Sequence, residues 1–298
     1  MADVLAPRIL ARLTEASPWK MNAFFPSPDA IGSSDALPFM ASSACVATDF
    51  FHTDYRRWCD AFGEGPHFHR KQWEWVFILH HAARLGVVGP GRSGLAFGVG
   101  RELLPAAFAS LGCDVTATDA PAELAHKSGW DRSGQFAPGL AALPQGRLDR
   151  IAFEERVAWR PCDMNAIDPA LSGYDFCWSS CALEHLGSLQ AGLDFIVNSV
   201  EHTLKPGGVA LHTTEFNLTS NGATVTDGDT VFYRRCDLEQ LIATLRGRGH
   251  EVDDLVIGPN VYVMNGFADT APFTAPHLLV NNMGYTVTSI GLVIRRGP

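Results

Sequence analysis

Two features of the sequence have the residue types and the spacing to bind a nucleotide. One is the glycine-rich turn Gly98-Val99-Gly100, which follows a short apolar run; the other is Asp119, nineteen residues after Gly100. Glycine residues let the backbone approach a ligand closely, and a carboxylate that ends the next strand accepts the hydroxyls of a ribose. The pattern predicts a site for a ribose-containing ligand.

The residues after the turn help to separate two ligands that fit this pattern, a dinucleotide such as NAD and S-adenosylmethionine. A dinucleotide fingerprint continues G-x-G-x-x-G, but Leu103 stands where the last glycine belongs. We expect Glu102 in the first turn of the next helix, where it repels a diphosphate and is compatible with a sulfonium and an ammonium group. Compensation of the helix dipole explains Glu102 equally well. The missing glycine disfavours a dinucleotide in either case.

The segments that position these residues begin after residue 92, where short apolar strands alternate with helices. This alternation is typical of a parallel α/β sheet. Seven strands are predicted, at 94–97, 114–118, 157–160, 174–179, 209–214, 252–257 and 286–294. Helices are predicted at 102–111, 189–203 and 237–248. In this arrangement the glycine turn follows the first predicted strand, 94–97, and Asp119 follows the second, 114–118.

Residues 1–92 are predicted to form an N-terminal helical extension. Helical spacing of apolar residues indicates helices at 54–62 and 71–85, and residues 18–49, rich in Pro, Ser and Ala, are expected to be irregular. Residues 67–75 concentrate histidine, aromatic and charged side chains, a composition that suits a sugar ring or a planar substrate. Helix packing explains Trp73 and Trp75 equally simply. We expect this extension to act as a lid on the substrate side.

Five motifs, in this order, resemble the class I S-adenosylmethionine-dependent methyltransferase family. They are Leu95-Ala96-Phe97-Gly98-Val99-Gly100, Val115-Thr116-Ala117-Thr118-Asp119, Cys162-Asp163-Met164, Ser179-Ser180-Cys181-Ala182-Leu183-Glu184-His185 and Leu204-Lys205-Pro206-Gly207-Gly208. Each motif alone is weak to moderate, and together they span residues 93 to 296. The resemblance implies an α/β fold: a seven-stranded, mostly parallel Rossmann-like sheet with helices on both faces and an antiparallel last strand. It makes residues 93–298 the cofactor-binding domain.

The resemblance also implies S-adenosyl-L-methionine as cofactor and a set of residues that contact it. These are Gly98, Gly100, Glu102, Asp119 for the ribose, Asp163 and Met164 for the adenine, and Ser179. Many family members carry an acidic residue two positions before the first glycine, where this chain has Ala96. Hydrogen bonds to the methionine end are therefore expected from another residue, such as Glu102.

Methyl transfer to an oxygen requires a group that takes the hydroxyl proton, which directs attention to histidine and carboxylate side chains. His185 follows the fourth strand and Glu215 the fifth, on the side where such folds bind ligands. Both are candidate catalytic residues. A structural or cofactor-side role remains open for His185, and a capping role remains open for Glu215.

The absence of two family motifs limits the classes of acceptor substrate. The Asn/Asp-Pro-Pro-aromatic motif of base-modifying enzymes is replaced by Ser179-Ser180-Cys181-Ala182, and no acidic cluster ends the fourth and fifth strands. His67 and His69 have no carboxylates in metal-ligand spacing, so no metal site is expected. By elimination, we expect O-methylation of a small-molecule or saccharide hydroxyl.

Composition limits the partners and the compartment. A net charge of −9 disfavours a nucleic-acid partner. The 7 cysteines include no CxxC pair, which favours free thiols in a reducing compartment. Residues 1–5 lack the pattern of a secretory signal, and no apolar run is long enough to span a membrane. A cytoplasmic location is expected, and the oligomeric state is left open.

Two alternatives remain. One is a non-catalytic protein that binds S-adenosylmethionine or a partner without turnover. The other is a nucleotide-linked oxidoreductase or epimerase, which is disfavoured because the third glycine and a Tyr-x-x-x-Lys pair are missing.

Overall fold

A computed structural model describes the backbone of residues 22–23 and the chain from 38–258, 263–274 and 276–298. The expectation for residues 1–5 lies outside the described residues, as does most of the segment 18–37. The described helices are α1 (Ala47–Phe50), α2 (Thr53–Phe62), α3 (Arg70–Arg84), α4 (Leu104–Ser110), α5 (Ala122–Ser128), α6 (Arg150–Arg156), α7 (Leu189–Asn198) and α8 (Arg235–Gly247).

Twelve short or long strands are assigned within the same residues. They are β1 (Asn22–Ala23), β2 (Ser93–Phe97), β3 (Asp114–Asp119), β4 (Val157–Pro161), β5 (Tyr174–Ser180), β6 (Gly187–Ser188), β7 (Leu204–Asn217), β8 (Asp227–Gly228), β9 (Glu251–Val252), β10 (Phe267–Asp269), β11 (Leu279–Asn282) and β12 (Tyr285–Arg295). Strands β6 and β8 form a separate small sheet, and the other ten form one mixed sheet.

The large sheet has the order β1-β10-β11-β12-β7-β5-β2-β3-β4, with β9 paired to β12. Strands β2, β3, β4, β5 and β7 are mutually parallel, whereas β12 runs antiparallel to β7 and to β9. The carboxyl ends of the parallel strands therefore meet along one edge of the sheet.

Helices cover both faces of the sheet. Successive residues of the central strands point to opposite faces, so each strand contributes side chains to both cores. In β2, Ala96 joins the core formed with α3 and α4, while Leu95 and Phe97 join the core formed with α7 and α8. Helix α3 lies close to β12 because Gly291 has no side chain. A Cβ there would lie 2.2 Å from Cε1 of Phe77.

The sequence analysis is confirmed for the mostly parallel sheet with helices on both faces, and it needs correction at four places. The sheet has ten strands, not seven. The additional strands include β10 and β11, which lie between the predicted sixth and seventh strands; residues 259–262 and 275 in this stretch lie outside the described residues. The predicted sixth strand, 252–257, is only the two-residue β9. The fifth strand, predicted as 209–214, extends from Leu204 to Asn217.

The fourth correction concerns Glu102. Helix α4 begins at Leu104, so Glu102 precedes the helix instead of lying in its first turn, and the helix-dipole explanation loses its basis. No helix in the described part of the chain is long and apolar enough to cross a membrane. The seven cysteines, all of them described, form no disulfide.

Candidate cofactor and acceptor site

A cavity of about 520 Å³ opens at the carboxyl ends of the parallel strands. Its size falls within the range of small-molecule sites. Its lining includes Gly98, Asp119, Asp163, Met164, Ala182 and His185. Five residues predicted from the sequence to contact cofactor or acceptor are thus brought together, although they come from four separate segments.

The glycine turn at the floor of this cavity depends on the absence of side chains. Gly98 and Gly100 have φ values of +56° and +52°, a left-handed region that glycine adopts without strain. A Cβ on Gly98 would lie 2.7 Å from Cβ of Ala182, and one on Gly100 would lie 3.1 Å from the carbonyl oxygen of Gln135. Any side chain at either position would disturb the cavity wall.

Asp119 is 1% exposed and accepts hydrogen bonds from four N–H groups. Oδ2 accepts from the amides of Gly100 at 3.2 Å and Ala137 at 3.0 Å. Oδ1 accepts from the amide of Ala120 at 2.8 Å and from Nε1 of Trp130 at 3.1 Å. Burial raises the pKa of Asp119, and the four donors oppose that rise.

A second polar region adjoins the first, and helix α3 supplies its charges. Lys71 Nζ donates to Oε2 of Glu74 and to the carbonyl oxygen of Ser180, both at 3.0 Å. Glu74 is fully buried and also accepts from the hydroxyls of Ser180 at 2.8 Å and Thr213 at 3.2 Å. Burial alone would raise the pKa of Glu74, but Lys71 and Arg70 lower it to about 2.

Glu102 faces this helix and not the helix that follows it in sequence. Its Oε1 lies 3.9 Å from Nζ of Lys71, and its Oε2 is buried without a hydrogen-bond partner among the described residues. Burial and the nearby Glu74 raise the pKa of Glu102 to about 8, against the effect of Lys71. The Glu102 carboxyl group therefore holds a proton at neutral pH and has an unsatisfied oxygen.

Glu215 ends strand β7 on the same side of the sheet. One carboxylate oxygen forms an ion pair with Arg70, while Oε2 is buried and has no partner within the described part of the chain. Arg70 also donates to the hydroxyl of Ser289 at 3.3 Å. The ion pair with Arg70 holds the Glu215 side chain at the carboxyl edge of the sheet. This contact differs from the loop-capping role that the sequence left open.

His185 occupies a different part of the site. It is exposed at the mouth of the cavity, and its Nδ1 lies 2.8 Å from the carbonyl oxygen of Asp229 and 3.2 Å from the hydroxyl of Thr230. Its neighbour Glu184 points into the core, where Oε2 accepts from Thr214 at 3.0 Å. The two candidate catalytic residues, His185 and Glu215, are therefore held by separate sets of contacts.

Ser179, a predicted cofactor contact, has its side chain inside the protein. Its hydroxyl lies 2.8 Å from Nδ1 of His212, whose Nε2 lies 3.0 Å from the hydroxyl of Ser199. Burial lowers the pKa of His212 to about 3, so this imidazole is neutral. His212 is a satisfied interior histidine, and the cavity lining does not include Ser179.

The charged residues of α3 were not identified from the sequence, although the segment 67–75 was singled out. The available signal was that Arg70, Lys71 and Glu74 stand at the start of a helix whose later turns are apolar. His69 caps this helix through Nδ1, which accepts from the amide of Lys71 at 3.1 Å. Among the described residues, no group of His, Cys, Asp or Glu has an arrangement that could hold a metal ion.

The strand order decides the fold family. Seven strands of the core, β4-β3-β2-β5-β7-β12-β9, lie in the order third, second, first, fourth, fifth, seventh, sixth along the chain, and the seventh is reversed. The glycine turn follows the first of them and the buried acid ends the second. The chain has the class I methyltransferase fold.

No protein-family model and no curated protein sequence matches this chain. Solved structures resemble it at low identity. The CcbJ methyltransferase from Streptomyces caelestis is 13% identical over 76% of this chain and 94% of its own, with a TM-score of 0.41. Magnesium protoporphyrin IX methyltransferase from Synechocystis PCC 6803 is 13% identical over 83% and 96%, with a TM-score of 0.43.

A phosphoethanolamine N-methyltransferase 2 from Haemonchus contortus is 15% identical over 83% of this chain and 61% of its own, with a TM-score of 0.48. This chain thus spans less than two thirds of that protein. The assignment of the class I fold rests on the strand order and the glycine turn, not on these global similarities.

Proposed function

We propose that this chain is an S-adenosylmethionine-dependent methyltransferase that methylates a hydroxyl of a small molecule or saccharide. The observation that supports it best is the cavity at the strand ends. It gathers Gly98, Asp119, Asp163 and Met164, which are far apart in sequence, around one space of about 520 Å³. The family resemblance assigns Asp119 to the ribose, Asp163 and Met164 to the adenine, and Gly98 to the turn that approaches the cofactor.

The residues beyond the glycine turn fit the methionine end of the cofactor. That end carries an ammonium group and a carboxylate. The unpartnered Oε2 of Glu102 is a buried acceptor suited to the ammonium group, and Nζ of Lys71, close to the other oxygen, is a cation suited to the carboxylate. In this proposal Glu102 takes the role of the acidic residue that many family members carry at the position of Ala96.

Bound S-adenosylmethionine supplies an electrophilic methyl group on a sulfonium. The protein's part is to position the acceptor and to take its proton. We assign the proton to Oε2 of Glu215, because this oxygen has no partner and lies on the side of the sheet where Arg70 enters. The ion pair with Arg70 fixes the position of this side chain, and a positioned carboxylate is a group that can act as a base.

Helix α3 belongs to the proposed N-terminal extension, residues 1–92, and delivers Arg70, Lys71 and Glu74 to the strand ends. This supports a substrate-side role for that extension, with residues 93–298 as the cofactor-binding domain. His185, at the mouth of the cavity, is the second candidate for the base.

The proposal is tested first by calorimetric titration of the purified chain with S-adenosylhomocysteine and, separately, with NAD. We expect binding of the former only. Asp119→Ala is expected to weaken binding by about 1–3 kcal/mol, the cost of leaving polar groups unpaired. Asp163→Ala serves as a comparison at the adenine end. Tight binding of NAD, or no binding of S-adenosylhomocysteine, contradicts the proposal.

The acceptor is then sought by measuring release of S-adenosylhomocysteine across saccharides, small alcohols and phenols, with amines as the competing class. Turnover with a hydroxyl acceptor supports O-methylation, and turnover only with amines contradicts it. Cofactor binding without turnover on any acceptor favours the non-catalytic alternative.

A further inference from the structure

The segment from Gly129 to Ala137 bends over Asp119 and supplies half of its hydrogen-bond donors. Nε1 of Trp130 donates to Oδ1, and the amide of Ala137 donates to Oδ2. The other two donors belong to the adjoining strand end and glycine turn, with Ala120 on Oδ1 and Gly100 on Oδ2. Each carboxylate oxygen thus has one donor from this segment and one from outside it.

An ionised carboxylate offers about four lone-pair positions, and all four are used within the protein. A ribose presents two neighbouring hydroxyls and needs acceptor positions on the same two oxygens. Each ribose hydroxyl therefore makes a full hydrogen bond to Asp119 only if one of the existing donors withdraws.

Trp130 is the donor with the lowest barrier to withdrawal. The amides of Gly100 and Ala120 are fixed by the turn and the strand end, and Ala137 is completely buried. Trp130 donates through a side chain instead, and its ring lines the cavity. Gly129, immediately before it, has a φ of +78°, and the three-residue turn Trp130–Arg132 follows. Its indole rotates about side-chain bonds without displacing the backbone.

We propose that Trp130 is a gating residue of the cofactor site, whose indole N–H competes with a ribose hydroxyl for Oδ1 of Asp119. The inference rests on the proposed function, because the competing ligand is an adenosine group with an intact vicinal diol. The ribose displaces the N–H, and the indole leaves its position over the acid. Trp130 therefore lowers cofactor affinity while it keeps the buried carboxylate paired.

Substitution Trp130→Phe distinguishes this competition from a supporting role, because it keeps an aromatic ring and removes only the donor. If the N–H competes, Trp130→Phe binds S-adenosylhomocysteine more tightly than the wild type, by roughly two- to tenfold, the value of one net hydrogen bond. If the N–H orients Asp119 for the ligand, the same substitution weakens binding.

Trp159→Phe is the matched control, because Nε1 of Trp159 has no hydrogen-bond partner among the described residues and the cavity lining does not include this residue. Its affinity should equal that of the wild type. In addition, S-adenosylhomocysteine should change the tryptophan fluorescence of the wild type and of Trp159→Phe, and this change should be lost in Trp130→Phe. Circular dichroism verifies that each variant is folded.

Equal or weaker binding by Trp130→Phe, with normal binding by the wild type, overturns the gating role and leaves the proposed function intact. A fluorescence change that persists in Trp130→Phe also counts against it. If none of the three proteins binds S-adenosylhomocysteine, the cofactor proposal fails and the gating role fails with it.

Discussion

Arg70, in the first turn of helix α3, forms an ion pair with Glu215, at the end of strand β7 and 145 residues further along the chain. The pair joins the N-terminal helices to the carboxyl edge of the sheet. It occupies one carboxylate oxygen of Glu215 and leaves the other without a partner. A carboxylate that is fixed in position and has a free oxygen is suited to accept a proton.

The free oxygen makes Glu215 and His185 distinguishable by substitution. We expect Glu215→Gln to lower kcat by 100-fold or more, in line with the loss of a positioned general base at about 10²–10⁴-fold. Affinity for S-adenosylhomocysteine should change only a few-fold, since Glu215 does not line the cofactor cavity. The measurement is kcat with the acceptor found in the screen, together with a calorimetric Kd.

His185→Ala is the comparison for this experiment. A large loss of kcat in His185→Ala with normal turnover in Glu215→Gln would transfer the base role to the histidine. Glu215→Gln also leaves Arg70 without its ionic partner, which destabilises a buried pair by about 3–5 kcal/mol. The double variant Arg70→Met/Glu215→Gln, which removes both charges, controls for that loss.

Glu102 makes cofactor binding release a proton. With its pKa raised to about 8, the folded protein keeps this carboxyl group protonated at pH 7. An ammonium group that binds to its free oxygen favours the ionised form, lowers the pKa and expels the proton. Lys71 and Glu74, which face Glu102 from α3, are already ionised and do not exchange protons in this range.

The release is measured by titrating S-adenosylhomocysteine at pH 7 in buffers of different ionisation enthalpy. The observed enthalpy should vary with the buffer and correspond to about one proton released per ligand. The variation should disappear in Glu102→Gln at the same pH. Buffer-independent heats in the wild type at pH 7 would contradict a role for Glu102 at the ammonium group.

We expect the free energy of unfolding to decrease at acidic pH because of Glu74. Its folded-state pKa of about 2 lies below the ordinary value of 4.5, so the stabilisation from its ionised form is complete above pH 4.5 and is lost as the pH falls towards 2. Glu74→Gln is expected to lower the free energy of unfolding at pH 7 by about 3–5 kcal/mol, because it leaves Lys71 without its closest anion.

Urea unfolding of the wild type and Glu74→Gln between pH 7 and pH 3 measures this effect. The difference between the two proteins should be constant down to pH 5 and should shrink below it. Glu64→Gln replaces a half-buried acidic residue that has no ion pair within the described part of the chain, and it should leave the unfolding free energy nearly unchanged at every pH. A difference between wild type and Glu74→Gln that does not depend on pH would rule out the ion pair as its source.

Much of the sheet could be predicted from sequence because its strands are locally encoded. Residues 94–97 and 174–179 are apolar on both faces and flanked by glycine or polar residues, as expected for strands buried between helices. The antiparallel last strand followed from the family resemblance. The core could thus be predicted by local composition and by analogy.

Strands β10 and β11 could not be predicted from the sequence, because they are only three and four residues long. Phe267–Asp269 has only three residues and pairs with β11 on one side and with Asn22–Ala23 on the other. Three residues give no detectable alternation. Glu102 was placed in a helix because its sequence neighbours are good helix formers, whereas burial against Lys71 determines where its side chain goes.

The charge cluster of α3 escaped prediction for a related reason. The local pattern assigns Arg70, Lys71 and Glu74 to a solvated first turn of a helix. Only their contacts with strand ends more than 100 residues away show that Glu74 is buried and the other two are half-buried. The spacing of apolar residues shows which side of a helix is apolar, but it does not show which other elements pack on that helix. The proposed cofactor residues of the glycine turn and Asp119 could be proposed from the sequence because they lie within one strand–helix–strand unit.

The hydrogen bond from Ser289 to Glu74 spans 215 residues, and this separation has a consequence for how the protein is made. Glu74 leaves the ribosome early, but its partners on β5, β7 and β12 emerge one after another, and the hydroxyl on β12 comes last. Contacts between such distant segments form late because a long loop must first be closed. The glycine turn and Asp119 are assembled from nearby segments, whereas the charged cluster around Glu74 is completed only once strand β12 has been synthesised.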